Sequence, residues 1–371
     1  MIGLNKEEYS LFVREAIKGS IVVGGACNIG CVFCACRSSY KAIGRKNWIN
    51  FISLEDLESV MPFVGISYYR NDDNQYGFSL GDGNYFFSCE PFLHPQYIDI
   101  IKVANAYKPD WIKYTATTGQ FVDMRHLDLY HQARMKFYVS INSFDIETRK
   151  KLMKRYEYGN LLDFLRNTEL IYRLSLMFTG DLDVLNRDIE NIYKFGLDKK
   201  EIRLWLPFVS QYSPREAKNI FQKAKSKWHD AVAILRKNIP NNIPSITEID
   251  DFDEVGEVIK LRNEFDIRMN KLISYINKSN VKLEDVGFLM SSSVWNYAVK
   301  KWKFINIKEL KNVSFGGSYT ISSIITKKDV MHAIKNFKFK HYAVPNEIFD
   351  TFGFDLALNH IKDYNLSLFL G

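Results

Sequence analysis

The chain has 371 residues, 46% apolar and 25% charged, which excludes intrinsic disorder and leaves room for a barrel-sized catalytic unit with a smaller appendage. Fifty Lys and Arg against 43 Asp and Glu give +7; this admits anionic partners but falls well short of a dedicated nucleic-acid tail, so its plain reading is a solvated basic surface. Lys6, Glu7, Glu8, Arg14 and Glu15 break up the first residues, excluding a signal peptide or membrane span there, so a cytoplasmic location with no membrane partner is expected.

Residues 5 to 18 are predicted helical, with Leu11, Phe12, Ala16 and Ile17 on one face. A first strand at Ile21 to Val23 runs through Gly24-Gly25 into a cysteine-rich loop. The cysteines are thereby placed beyond a strand's C-terminal end, where α/β barrels build their active sites. After a helix at Leu54 to Met61, Gly81-Asp82-Gly83 predicts a small hairpin from 76 to 88 over the rim of the site, and the second strand is predicted at Tyr85 to Ser88. Helices at Tyr97 to Tyr107, Val122 to Ala133, Ile146 to Lys154 and Asp183 to Phe195 then alternate with strands at Trp111 to Thr115, Phe137 to Ile141, Leu174 to Phe178 and Ile202 to Leu206. This alternation predicts an α/β fold, a partial (β/α)6 barrel around a parallel sheet.

Beyond Pro207 the pattern changes. A long helix is predicted from Pro214 to about Arg236, then a linker in IPNNIPSITEID, then a second long helix from Asp251 to about Asn277. The last ninety or so residues return to mixed signals. The expected division is an N-terminal helix at 1–20, a core barrel at 21–210, a helical extension at 211–280 and a C-terminal α+β domain at 281–371.

The chemistry concentrates in the loop. Four of the five cysteines, Cys27, Cys31, Cys34 and Cys36, lie within ten residues, too close for a conventional disulfide framework and suited to metal binding in a reducing compartment. Cys27, Cys31 and Cys34 can hold three irons of a 4Fe-4S cube and leave the fourth iron open for chemistry. Gly24, Gly25 and Gly30 let the backbone wrap closely. The competing reading is a zinc-stabilised binding module in which Cys36 completes four thiolates. In the cluster reading Cys36 is a small neighbour, an alternative ligand or a hydrogen donor.

With its three-residue and two-residue cysteine spacing and Phe33 before the last cysteine, the loop resembles the signature of the radical S-adenosylmethionine (radical SAM) superfamily. The resemblance implies a 4Fe-4S cluster on Cys27, Cys31 and Cys34, S-adenosylmethionine chelated at the open iron, and Phe33 packed near its adenine. Ser88-Cys89-Glu90-Pro91 is similar to the family's Gly-Gly-Glu-Pro element, which binds the cofactor's amino group, although Ser88 and Cys89 replace both glycines. Thr117 and Thr118 beyond the third strand, and Ser140 and Asn142 at the end of the fourth, resemble the family's ribose and carboxylate contacts. Ser143 and Asp145 read equally well as helix caps, and Glu90 as a cap of the helix that follows it. Leu206, ending the sixth strand, is expected beside adenine.

Only Cys36 and Cys89 remain outside the triad, so a second cysteine-built cluster is not expected, nor is an N-terminal cobalamin domain ahead of the first strand. Phe315 to Ile321 and Ile325 to Val330 weakly resemble a C-terminal domain found behind some radical SAM barrels, and equally read as a Gly turn followed by a helix. The implied activity is reductive cleavage of S-adenosylmethionine to a 5'-deoxyadenosyl radical that abstracts a substrate hydrogen. Rearrangement, epimerisation, dehydrogenation or bond formation on a metabolite or peptide would follow, with a flavodoxin or ferredoxin type electron donor. Radical modification of a nucleoside or RNA is the alternative within the enzyme class. No side chain is assigned as catalytic; Cys89 and Cys36 are the hydrogen-donor candidates.

Overall fold

The computed structural model describes residues 2–25, 27–34, 36–37, 50–66, 76–81, 90–209, 213–245, 256–279, 281–313, 327–344 and 367–370. The chain divides into two compact units, one formed by Met1–Tyr40, Arg45–Val209 and Ser213–Ile246, the other chiefly by Thr247–Gly371.

In the first unit, helix α1 (Lys6–Ile17) opens on a capping box in which Asn5 and Glu8 each accept the other's backbone N–H. It leads into β1 (Ser20–Ile21). Ser53 and Asp56 form a second capping box at the start of α2 (Leu54–Val60). β2 (Gly77–Leu80) and α3 (Tyr97–Tyr107) come next, followed by β3 (Ile112–Thr117), α4 (Leu127–Gln132), β4 (Met135–Asn142) and α5 (Ile146–Leu152). The short helix α6 (Leu161–Phe164) precedes β5 (Ile171–Met177), α7 (Leu182–Lys194), β6 (Glu201–Trp205), α8 (Arg215–Ser226), α9 (Trp228–Asn238) and β7 (Asn242–Ser245).

All seven strands pair in parallel and lie in chain order. That arrangement follows when each crossover helix returns over the same face of the sheet. One face is accordingly buried under helices. Phe137 of β4 packs edge-on to Tyr130 and Phe164 and near Phe92, and Val139, Ile141, Ile202 and Leu204 are fully covered. The alternate residues, Tyr138 and Ser140 on β4 and Glu201, Arg203 and Trp205 on β6, stay half-exposed. At β4 and β6 the sheet therefore has a dry helical side and an open polar side.

Three local expectations are corrected. The second strand of the sheet is Gly77–Leu80, not 85–88; it ends at Gly81, whose φ of +103° ordinary side chains avoid. The predicted hairpin and the 85–88 strand run into residues outside those described. The helix from Pro214 is broken at Lys227, where the Ser226 hydroxyl donates back to the Lys223 carbonyl at 2.9 Å in competition with the helix ladder. The two-proline stretch read as a linker contributes β7, which among the described residues pairs only with β6. Pro244 is tolerated there because an edge strand can forgo a donor.

The second unit holds α10 (Gly256–Lys278), β8 (Val286–Ser291), α11 (Ser292–Lys301), β9 (Asn306–Leu310), α12 (Lys327–Lys335), β10 (His341–Val344) and β11 (Ser367–Leu370). Its described strands are parallel in the order β11-β10-β8-β9. β8 is buried along its whole length, as a central parallel strand covered on both faces must be. Phe288 and Met290 pack with Ile276 and Trp302, while Leu289 packs with Leu310 and Tyr342. Trp295, Lys308, Glu309, Lys311, Asp329 and His332 line a cavity of about 340 Å³. Most of the 315–330 stretch singled out in the sequence lies outside the described residues.

Candidate functional site

The cysteine loop leaves β1 through Val22 and Val23, both buried. Gly24 and Gly25 follow with φ of +70° and +85°. A Cβ on Gly24 would stand 2.1 Å from the Asn50 carbonyl oxygen, and one on Gly25 would stand 1.8 Å from the Phe51 ring. Only glycine meets both the conformation and the space. Three backbone bonds tie the loop to the segment that ends α5: Val32 N–H donates to Leu152 O at 2.9 Å, and Lys154 and Arg155 N–H donate to Ile29 O at 3.1 and 3.0 Å. Ile29, Leu152 and Met153 form a small apolar core against which Cys27, Cys31 and Phe33 pack.

The predicted cluster ligands thus sit together beyond β1. Cys27, Cys31 and Cys34 are half-buried, unbridged thiols; Cys27 feels the charge of Cys34, and Cys31 that of both Cys34 and Cys27. Burial pushes Cys27 up to about 12, although the Ile29 and Glu90 N–H groups donate to it. Burial also holds Cys31 well above the ordinary thiol range. Cys34 is lowered to about 7, chiefly by a hydrogen bond from the Cys36 side chain and against its burial; the Arg37 N–H also donates to it at 3.3 Å. Cys36 therefore stands beside Cys34.

The donor set fits an iron–sulfur cluster. Three thiols share one loop, backbone N–H groups point at two of them, and an apolar floor limits water. Among the described residues no three His, Cys, Asp or Glu side chains gather as ligands of a single ion. Three thiolates that each take a separate iron need no such common point.

Glu90 is the hub of the second predicted element. Thr117 Oγ1 donates to Oε1 at 2.6 Å, and Thr118 N–H and Oγ1 each donate to Oε2 at 2.8 Å. The Phe92 N–H donates as well. Four donors match the roughly four acceptor positions of a carboxylate. Burial raises the Glu90 carboxyl above its ordinary range, and the bonds from Thr117, Thr118 and Phe92 pull it back. Glu90, Thr117 and Thr118 are thus brought together, but onto one another. Ser88 and Cys89 lie outside the described residues.

Four residues on, His94 is buried. Gln96 N–H donates to its Nδ1 at 3.0 Å, so Nε2 carries the proton and donates to Ile52 O at 2.9 Å. Burial lowers its pKa against the Ile52 carbonyl, keeping the ring neutral. The ring meets Phe51 edge-on at 4.7 Å, so Gly25, Phe51 and His94 form a continuous brace between the cysteine loop and the Glu90 segment.

At the end of β4, Asn142 is buried with φ of +64°, a left-handed conformation that Asn tolerates better than most residues. Its amide donates to Met153 Sδ at 3.2 Å, placing it against the core beneath the cysteines. Half-exposed Ser140 pairs in register with buried Ser175. Ser143 and Asp145 act as caps: the Ser143 hydroxyl donates to Asp188 at 2.9 and 3.0 Å and accepts from Asp145 N–H, and Asp145 accepts from Thr148 N–H. Leu206 follows β6 directly and is buried.

Asp188, Arg149 and the open-face group on β4 to β6 were not anticipated. Arg173 and Arg203 both donate to Glu201 at 2.7 Å, and Trp205 Nε1 donates to Tyr138 Oη at 3.0 Å. Period-two alternation in β4 and β6 was the available signal. Arg149 sits in the basic run Arg149-Lys150-Lys151, and only its three-residue spacing from buried Leu152 marked it out.

A family sequence model described as the Radical SAM superfamily matches residues 21–195. No curated protein matches the chain significantly. Among solved structures, SuiB of Streptococcus suis bound to precursor peptide SuiA aligns with TM-score 0.41 and 12% identity over 61% of this chain and 48% of that one. A spore photoproduct lyase variant aligns with TM-score 0.41 and 11% identity over 61% and 75%. BtrN in complex with AdoMet and 2-DOIA aligns with TM-score 0.26 and 13% identity over 60% and 86%. The chain thus spans about half of SuiB. No helix among the described residues is long and apolar enough to cross a membrane. Its fold is an α/β partial barrel with a cysteine loop at the C-terminal end of β1, and over residues 21–195 the chain carries the domain of the radical SAM superfamily, enzymes that use a 4Fe-4S cluster and S-adenosylmethionine.

Proposed function

We propose that this protein cleaves S-adenosylmethionine reductively and abstracts a hydrogen atom from a metabolite or peptide. The observation that carries this reading is the trio Cys27, Cys31 and Cys34, gathered on one braced loop with N–H donors aimed at Cys27 and Cys34. Cys27, Cys31 and Cys34 would hold a 4Fe-4S cluster, which would supply the electron for splitting the cofactor into the hydrogen-abstracting radical. The chain's own part is to bind, orient and exclude water.

Phe33, packed on the core of Ile29, Leu152 and Met153, offers a flat face for adenine. Glu90, saturated by Thr117, Thr118 and the Phe92 N–H, serves by holding the segment that leads into α3 against the end of β3, so that the Glu90 backbone meets the cofactor's amino group. Ser140 and Asn142 at the end of β4, and Leu206 beyond β6, complete the cofactor's surroundings. The face bearing half-exposed Tyr138, Arg203 and Trp205, with buried Arg173 between them, is the substrate wall; its mixture of aromatic rings and charge suits a polar metabolite or a peptide. An electron donor of flavodoxin or ferredoxin type completes the system.

Anaerobic purification and reconstitution test this directly. A brown protein with about four irons and four sulfides that forms 5'-deoxyadenosine from S-adenosylmethionine and dithionite is expected, with both lost in Cys31→Ala. A colourless protein with one bound zinc overturns the proposal.

A further inference from the structure

We propose that Arg149 is a fixed positive charge behind Cys31 that raises the reduction potential of the iron–sulfur cluster. This rests on the reading of Cys27, Cys31 and Cys34 as cluster ligands. Arg149 is fully buried on α5. Backbone carbonyls clamp its guanidinium: Nε donates to Tyr156 O at 2.7 Å, Nη1 donates to Ser143 O at 3.4 Å, and Nη1 also donates to Ile141 O. The Tyr158 ring lies under the group at 5.0 Å. Its remaining nitrogen, Nη2, is buried and has no hydrogen-bond partner among the described residues. Folded proteins seldom leave such a donor unpaired without a use.

What lies near it supplies the use. The loop carrying Cys31 is bonded to the turn that ends α5 through Val32 N–H to Leu152 O and through Lys154 and Arg155 N–H to Ile29 O. Arg149 is close enough to Cys31 for the thiolate's charge to favour the guanidinium, as do Tyr158, Asp188 and Glu157. Burial is the larger effect and lowers the guanidinium to about 10, which still leaves it protonated at neutral pH. A carbonyl clamp of this kind fixes position without neutralising charge, since carbonyls are dipoles and not anions. The charge is therefore held in a low-dielectric site beside a group that gains an electron, where it stabilises the reduced state over the oxidised one. Net charge and donors around the sulfurs are among the levers that set such potentials. Lys150 and Lys151, next in sequence, are exposed or solvated alternatives without this clamp.

The test is an anaerobic redox titration of the reconstituted protein without S-adenosylmethionine, followed by EPR of the reduced cluster. In Arg149→Met the midpoint is expected to fall so that, at the wild-type midpoint, the reduced-to-oxidised ratio drops about tenfold, or ~59 mV for one electron. Arg149→Lys, which keeps the charge, is expected to recover most of the shift. Equal midpoints in wild type and Arg149→Met at equal iron content overturn the proposal, including the case in which only S-adenosylmethionine affinity falls, which would assign Nη2 to the cofactor instead. Should Arg149→Met fail to hold four irons, pulsed EPR of wild type labelled with guanidino-15N arginine decides. A 15N coupling to the reduced cluster that disappears in Arg149→Lys supports the proposal, and its absence in wild type overturns it. Wild type that binds no iron at all defeats the cluster reading instead.

Discussion

The polar groups at the ends of β3 and β4 approach the same cysteine loop and differ in how completely they are satisfied. At β3, Glu90 receives Thr117, Thr118 twice and the Phe92 N–H, and its own N–H reaches Cys27. At β4, Asp188 receives the Ser143 hydroxyl and the Phe144 N–H, Asn142 is held in a left-handed turn, and Arg149 keeps one buried donor unpaired. A saturated buried network fixes geometry and has nothing left to offer a ligand. An unsaturated one retains charge and donors that a ligand can use. The β3 end is thereby a brace and the β4 end a poised surface.

The largest expected effect breaks the brace. Glu90→Ala strands four buried donors, each costing about 1–3 kcal/mol, so destabilisation of about 3 kcal/mol or more is expected in anaerobic urea unfolding, with reduced iron loading. Glu90→Gln, which keeps the shape, should lose roughly half as much. A Glu90→Ala protein as stable as wild type would show that the network braces nothing.

A smaller effect, dependent on pH, sharpens the β4 side. Burial raises the Asp188 carboxyl from 3.8 to about 7. The folded chain then holds a proton that the unfolded chain has released between pH 4 and 7. Stability contributed by this group falls as pH rises through that window, and the full cost is present above about pH 7. Asp188→Asn removes the titration, so the wild-type stability curve should fall relative to the variant by at most about 1.4 kcal/mol per pH unit. Parallel curves would place the Asp188 carboxyl in the ordinary range.

The smallest effect concerns the turn. Asn142→Ala, forced into φ of +64°, is expected to cost about 1–2 kcal/mol, visible as a lowered melting temperature; Asn142→Gly should be near neutral in backbone terms. Equal losses in both would trace the effect to the Asn142 to Met153 contact and not to backbone strain.

Much of this was readable residue by residue. The alternation of β and α patterns located most strands of the first sheet, and α3 begins and ends where its apolar spacing puts it, at Tyr97 and Tyr107. The cysteine spacing marked out the candidate site. Legibility failed where a local pattern had two tertiary solutions. The aromatic run at 85–88 looked more like a strand than Gly77-Phe78-Ser79-Leu80, yet the latter lies between β1 and β3. Pro244 looked like a linker and is an edge-strand residue. Arg149 and Lys150 are chemically alike in the sequence, and helix phase alone buries the first.

The sequence by itself determined the three closely spaced cysteines, the parallel α/β architecture and the glycines that let the loop turn, because residue spacing, period-two and period-3.6 burial and left-handed backbone are properties of short segments. Only the tertiary structure decided which partners each polar group meets. It turned Glu90 inward onto Thr117 and Thr118, set Asn142 beneath the cysteines, and left Arg149 Nη2 unpaired near Cys31. Those outcomes depend on contacts between residues about 10 to 120 positions apart, and the satisfaction of a buried donor or acceptor is settled only when the chain has packed.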